Sequence, residues 1–167
     1  PARTFLFDNG LNLSGMWDPA VGGVTSSWGW GHDLEGNVTS AGDSSGNITT
    51  WTYDTFNNVT SATDALGHVT QYKYENTTYP TLLTKIIQCP YPLIDPENGD
   101  CAAAGSGQEI PTTTLGYYFN TGTPPAGCTI LPSGDFGCHG QLKEVIDPNG
   151  VWAGFEYDQW GQRVNYM

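Results

Sequence analysis

The chain has 167 residues, of which 13% are charged, and a formal net charge of −12. Five basic residues argue against nucleic-acid binding, which needs cationic contacts with phosphate, and no run of eighteen apolar residues offers a membrane-spanning helix. Glycine (22 residues), proline (11 residues) and abundant Thr, Asn and Ser favour turns and strands over helices, and the length suits one structural domain.

A repeated phrase organises residues 1–75. Its two clearest copies run from Asp43 to Asp54 and from Asp64 to Glu75, and each opens with Asp-x-x-Gly and closes with aromatic-x-aromatic-acid. Looser copies end in Phe5-Leu-Phe7-Asp8 and in Trp28-Gly-Trp30, so the second aromatic recurs after 23, 23 and 21 residues. A fixed period of this length is typical of a repeat architecture.

Each phrase predicts a β-hairpin. Aromatic-x-aromatic places two rings on one face of a strand, because side chains alternate with period two. Asp-x-x-Gly is a turn signal, in which the carboxylate bonds backbone N–H groups and glycine accepts a positive φ. Stacked hairpins would bury faces that one hairpin cannot. The predicted aromatic ladder is Phe5, Phe7, Trp28, Trp30, Trp51, Tyr53, Tyr72, Tyr74, Phe155 and Tyr157, and the predicted repeat turns use Asp43, Gly46, Asp64, Gly67, Asp147 and Gly150.

Residues 76–139 break the period and are rich in proline. All four cysteines lie here, which indicates a loop-rich insertion pinned by disulfides. Among the three possible connectivities we expect the local one, Cys89–Cys101 and Cys128–Cys138. Four cysteines with none left over favour an oxidising, extracellular or cell-surface location.

Residues 140–167 resume the repeat within the same structural domain. The copy from Asp147 to Asp158 is complete, and residues 161–167 form the opening half of another unit, whereas residues 3–8 form a closing half. Because the sequence begins with Pro1 and lacks a signal peptide, we expect a processed or excised piece. The two halves also predict end-to-end self-association, with the last strand of one copy beside the first strand of the next.

The phrase resembles the YD repeat of the bacterial Rhs family, of insecticidal toxin-complex shells and of teneurins. Residues 36–75 and 140–166 carry the resemblance closely, and residues 3–33 carry it loosely. The resemblance implies a long β-ribbon that spirals into a shell or solenoid, in some relatives around a C-terminal toxin.

No pattern in the sequence predicts catalysis, a cofactor or a metal. The cysteine gaps do not fit a zinc site, the acidic turn 95–100 lacks the ligand spacing of an EF-hand loop, and the three histidines lie far apart. The sequence therefore predicts an all-β, non-catalytic, secreted scaffold segment that self-assembles into a filament or shell. The alternatives are a module whose aromatic rows bind polysaccharide or a cell surface, and an excerpt of a toxin-encapsulating Rhs shell.

Overall fold

The computed structural model describes residues 2–18, 26–89, 101, 109–119, 139–158 and 162–167. All regular elements in these ranges are strands, which confirms the all-β prediction, and no helix there could cross a membrane. The strands are β1 (Thr4–Phe7), β2 (Leu13–Trp17), β3 (Ser27–His32), β4 (Val38–Asp43), β5 (Ile48–Tyr53), β6 (Val59–Thr63), β7 (Val69–Lys73), β8 (Lys85–Cys89), β9 (Thr112–Tyr117), β10 (Leu142–Ile146), β11 (Trp152–Tyr157) and β12 (Arg163–Tyr166).

The chain forms two compact units. The first comprises Pro1–Tyr72 and Gln88–Ile110, and the second comprises Lys73–Ile87 and Pro111–Met167. In the first unit β1 to β7 form an antiparallel sheet, in which each strand pairs with the next along the chain. In the second unit β8 to β12 pair in the same sequential way. Local pairing of this kind is what stacked hairpin repeats require.

Two kinds of strand junction alternate along the repeats. The junctions β1–β2, β3–β4, β5–β6 and β11–β12 each contain a bulge, where one residue of the second strand has no partner. The junctions β2–β3, β4–β5, β6–β7 and β10–β11 have no register shift. Because a bulge bends a strand and increases its twist, this alternation repeats the same local geometry in every hairpin. The extra residues are Ser14, Thr39, Thr60 and Val164.

The register places the aromatic positions of the first unit on one face. Directly opposed residues in an antiparallel sheet share a face, and Trp30 opposes Ala41 while Trp51 opposes Ala62. The other face carries a row of small residues, in which Gly15, Gly29 and Gly42 oppose one another on three successive strands. A row of glycines therefore crosses three strands on the face opposite the aromatic positions.

Few described apolar side chains are buried. Val69, Cys89 and Tyr118 are the apolar residues of the described ranges that lie in the core, whereas Phe5 and Phe7 are 50% and 61% exposed. Most repeat aromatics are only half-buried. The hydrogen-bonded strand ladder and the turns therefore carry much of the order in this fold.

Glycines in the second unit make room for a Trp–Glu pair. Gly116 and Gly154 both oppose Glu144, whose Oε2 accepts a hydrogen bond from Trp152 Nε1 at 3.0 Å. A Cβ on Gly154 would strike the Trp152 ring, and a Cβ on Gly116 would meet Glu144 Oε1 at 2.8 Å. The ring is rigid, while the carboxylate is the end of a flexible chain.

We therefore expect Gly154→Ala to lower the free energy of unfolding by about 1–3 kcal/mol, because the indole must move and give up its bond to Glu144. Gly116→Ala is the matched control: it also disturbs the bond between Trp152 and Glu144, but it should cost less, since the flexible Glu144 side chain can rotate away without displacement of a rigid ring. Urea denaturation of both variants measures the difference. Equal costs for the two substitutions would contradict this account of the packing.

Candidate functional site

The turn that begins at Asp43 shows how the repeat is closed. Asp43 Oδ1 accepts hydrogen bonds from the N–H groups of Ser45 at 2.9 Å and Asn47 at 3.0 Å, and its Oδ2 accepts one from Asn47 Nδ2 at 2.8 Å. The Asp43 N–H in turn donates to Asn47 O at 3.1 Å. One carboxylate thus organises a five-residue turn between two strands.

The same bonding recurs at both ends of the hairpins. Six aspartates bond the N–H groups two and four residues later: Asp8, Asp33, Asp43, Asp54, Asp64 and Asp147. Asp158 bonds the N–H of Gln162, four residues later. The aspartates that close a phrase, Asp8, Asp54 and Asp158, are therefore also the first residues of the next turn.

The sequence predicted turns that begin at Asp43, Asp64 and Asp147, and it placed Gly36-Asn37 and Asn57-Asn58 in the turns at the other end of each unit. The fourth residues of the first three turns, Gly46, Gly67 and Gly150, have φ values of 85°, 86° and 80°, where glycine is unstrained. The turn that begins at Asp8 was not predicted and has Leu11 at its fourth position, while Asn57 holds that position in the turn from Asp54, with φ values of 65° and 62°. The available signal was Asp followed four residues later by Asn, as in Asp33-Asn37 and Asp54-Asn58.

These hydrogen bonds shift the acidity of the turn carboxyls. The Asn37 and Asn47 side chains lower the pKa of Asp33 and of Asp43, and the His68 side chain lowers that of Asp64. The backbone N–H of Asn12 does the same for the pKa of Asp8. Around Asp54, burial opposes the change, but hydrogen bonds from Asn58 and Phe56 outweigh it and lower the pKa. The folded turns thus favour ionised carboxylates.

Two open grooves lie beside the bulged turns of the first unit. One, of about 580 Å³, is lined by Asp33, Glu35, Asp54 and the rings of Trp51 and Tyr53. Asn37 Nδ2 donates to Asn57 Oδ1 at 2.9 Å and joins the two turns that border this groove. Neither groove has the enclosed shape of a catalytic pocket.

The second groove contains His32 and Asp8. The His32 side chain is 8% exposed, and its Nδ1 lies 3.4 Å from Asp8 Oδ2 without a hydrogen-bond partner in the described part of the chain. Within the described ranges no three His, Cys, Asp or Glu side chains are close enough to hold a metal ion. The pair thus resembles an ion pair between a strand and a turn more than a metal site.

The remaining predicted ladder residues are spread over both units. Phe155 packs against Tyr166 with ring centroids 5.6 Å apart, and Tyr157 packs edge-on against Tyr118 at 6.4 Å. Tyr53 donates its hydroxyl to Val38 O at 2.7 Å. Tyr74 follows the last residue of β7. These aromatics form local pairs and strand-to-strand bonds rather than a catalytic constellation.

A disulfide joins Cys89 and Cys101. Cys89 is buried at the end of β8, and Cys101 lies twelve residues further along the chain, within the first unit. Cys128 and Cys138 lie outside the described residues, so their expected bridge stays a prediction.

The outermost strands expose backbone groups. All residues of β1 and β12 are exposed, and within the described ranges each strand pairs on one side only. The N–H and C=O groups of Gly154 and Met167 bond each other, so Tyr166, one residue before Met167, directs its backbone groups outward. The Tyr166 N–H donates a hydrogen bond to Asn165 Oδ1 at 2.9 Å. On β1 the N–H of Asp8 bonds inward to Asn12 O, so Phe5 and Phe7 direct theirs outward.

Comparison with known proteins places the repeats in a family. A family model described as RHS Repeat matches residues 32–69, which span four of the aspartate turns. No curated protein matches the chain. Solved structures titled TcdB2-TccC3-Cdc42 and TcdB2-TccC3 each match with a TM-score of 0.44 and 13% identity over 98% of this chain. The structure of TcdB2-TccC3 without its hypervariable C-terminal region gives 0.43 and 13%.

The chain spans 10% of the length of each of these solved chains. The family match falls on β4, β5 and β6 and on the turns around them, where the phrase is most regular. The resemblance drawn from the sequence is therefore confirmed for residues 32–69, where the chain carries an RHS repeat.

Proposed function

We propose that this chain is a non-catalytic, secreted scaffold segment whose copies join end to end, β12 of one beside β1 of the next, into an extracellular filament or shell. The observation that carries the proposal is the pair of exposed outer strands with outward-directed backbone groups. Main-chain hydrogen bonds across such edges join sheets without any further structure.

The composition of β1 supports this use. Proteins usually block sheet edges with charges, prolines or inward-pointing lysines. In β1 the sequence Thr4-Phe-Leu-Phe7 has no charge and no proline, and three of its side chains are large and apolar. An edge of this kind favours strand addition over a monomeric state.

The repeated turns and the disulfide fit a structural role. The aspartate turns repeat one local geometry in both units, with the same pair of backbone hydrogen bonds to the carboxylate. The Cys89–Cys101 disulfide is typical of proteins in oxidising compartments and supports secretion.

The substitution Phe5→Pro tests the pairing of β12 of one copy with β1 of the next. Phe5→Pro removes an outward N–H of β1 without deleting a bond to β2, so the variant should stay monomeric. Phe5→Ala loses the same ring but keeps the N–H, and it should assemble like the unchanged protein. Light scattering over a range of concentrations and electron microscopy measure assembly, and circular dichroism checks that both variants keep their strands. A monomeric unchanged chain, or assembly of Phe5→Pro, would refute the proposal.

One observation favours carbohydrate or cell-surface binding as a second function. The Trp152 ring is 47% exposed and lies over Gly154, where its free side offers a flat apolar surface of the kind that stacks on sugar rings. A glycan array with the unchanged protein and Trp152→Ala tests it. Absence of binding by the unchanged protein leaves the scaffold function as the account of this chain.

A further inference from the structure

We propose that the copies pair in one defined register, with Asn165 of one copy opposite Thr4 of the next and Tyr166 opposite Arg3. This inference rests on the proposed end-to-end association and specifies its geometry. It follows from a rule that four unbulged junctions obey, namely β2–β3, β4–β5, β6–β7 and β10–β11.

The rule links the pairing to the turns on either side. In the first unit, Gly15 opposes Gly29, Ser40 opposes Thr50 and Ser61 opposes Gln71. In each pair the first residue comes three positions after the turn-closing Asn, at Asn12, Asn37 or Asn58. The second residue comes four positions before the acid that follows its strand, which is Asp33, Asp54 or Glu75.

The second unit obeys the same rule. Glu144 opposes Gly154, and Gly154 comes four positions before Asp158, the first residue of the next turn. Glu144 likewise comes three positions after Gln141, whose carbonyl accepts a bond from the Tyr118 N–H. Four junctions in two separate units therefore share one register.

The outer strands contain both halves of this pattern. Asn165 comes three positions after Gln162, which closes the turn that begins at Asp158. Thr4 comes four positions before Asp8, which begins the first turn. Applied to two copies, the rule brings Asn165 and Thr4 together and sets Tyr166 against Arg3.

The backbone hydrogen bonds agree with this pairing. Met167 bonds inward to Gly154, so Asn165 also faces inward and Tyr166 faces outward. Asp8 bonds inward to Asn12, so Thr4 faces inward and Arg3 faces outward. The outward groups of Tyr166 and Arg3 can then bond each other, once the Tyr166 N–H leaves Asn165 Oδ1. If the pairing slipped by one residue, inward-directed backbone groups of one strand would lie opposite outward-directed groups of the other. Every side chain of the shifted strand would then lie on the opposite face of the sheet.

The side chains at this junction are compatible. Tyr166 and Arg3 would share the aromatic face, where the guanidinium, 51% exposed beside Asp18, can approach an exposed ring. Arg163 already lies 5.9 Å from the Phe155 ring on the neighbouring strand. No Asp or Glu side chain lies opposite another across this junction.

Disulfide trapping distinguishes this register from a two-residue slip. Asn165→Cys in one copy is mixed with Thr4→Cys in another, or with Leu6→Cys as the matched control, since Leu6 also faces inward. In the proposed register position 165 opposes position 4 as a non-hydrogen-bonded pair, whose Cβ atoms lie close enough for a disulfide, while position 6 is a diagonal neighbour at about 7–8 Å. We expect about tenfold more cross-linked dimer from the Thr4→Cys mixture.

The outcomes separate the register from the association itself. Peptide mapping must find the 165–4 bridge between copies, because the chain contains four other cysteines. Assembly with preferential 165–6 bridging overturns the register and leaves the scaffold function intact. A chain that light scattering shows to be monomeric overturns both.

Discussion

Tyr118→Ala should lower the free energy of unfolding by about 3–5 kcal/mol, the cost typical of truncating a buried aromatic side chain. Tyr118 is only 7% exposed, and its hydroxyl donates to Phe155 O at 3.0 Å. Its ring packs against Tyr157, and its backbone bonds both Gln141 and Gly140. The residue therefore ties the end of β9 to the strands that follow it.

Tyr118→Phe is the matched control for this prediction. It keeps the ring and removes only the bond to the Phe155 carbonyl, so we expect a loss of about 1–2 kcal/mol. Denaturant unfolding followed by tryptophan fluorescence and by circular dichroism measures both variants. A cost below about 1 kcal/mol for Tyr118→Ala would mean that the second unit does not depend on this side chain.

The hairpins and their turns follow from the sequence because their causes are local. Asp43 and Gly46 lie within one turn, and Trp51 and Tyr53 lie within one strand, so chemistry and spacing suffice to identify them. In the turn at Asp54, which Asn57-Asn58 predicted, Asn57 takes the left-handed position that Gly46 takes elsewhere. Asparagine tolerates that conformation better than most residues, so the signal was present but weaker.

Other features depend on contacts that spacing alone does not encode. The bulges at Ser14, Thr39 and Thr60 emerge only from the pairing of whole strands. The burial of Tyr118 requires residues 139–141 to return beside it after an interval without repeats. The register that a second copy would adopt becomes visible only after the unbulged junctions are compared.

Acidification should destabilise the fold below the ordinary Asp pKa of about 3.8, because the folded turns lower the pKa of five carboxyls. A group whose pKa is lower in the folded state stabilises the fold above its unfolded pKa, and this stabilisation is lost as the pH falls through the folded value. The unfolded chain then takes up more protons than the folded one. The five groups are Asp8, Asp33, Asp43, Asp54 and Asp64.

The pKa values of the five turn carboxyls are shifted in the same direction, so their losses reinforce one another, although each carboxyl is exposed or half-exposed to solvent. Urea midpoints measured from about pH 7 to about pH 2 should therefore hold steady at first and then fall steeply. Asp43→Asn is the matched variant: the amide occupies the same space but does not titrate, so it should be less stable at neutral pH and show a shallower acid decline. If the midpoint of the unchanged protein stayed level to about pH 2, the carboxylates would contribute to turn geometry without contributing to its stability. A decline that is the same in Asp43→Asn would assign the acid sensitivity to other groups.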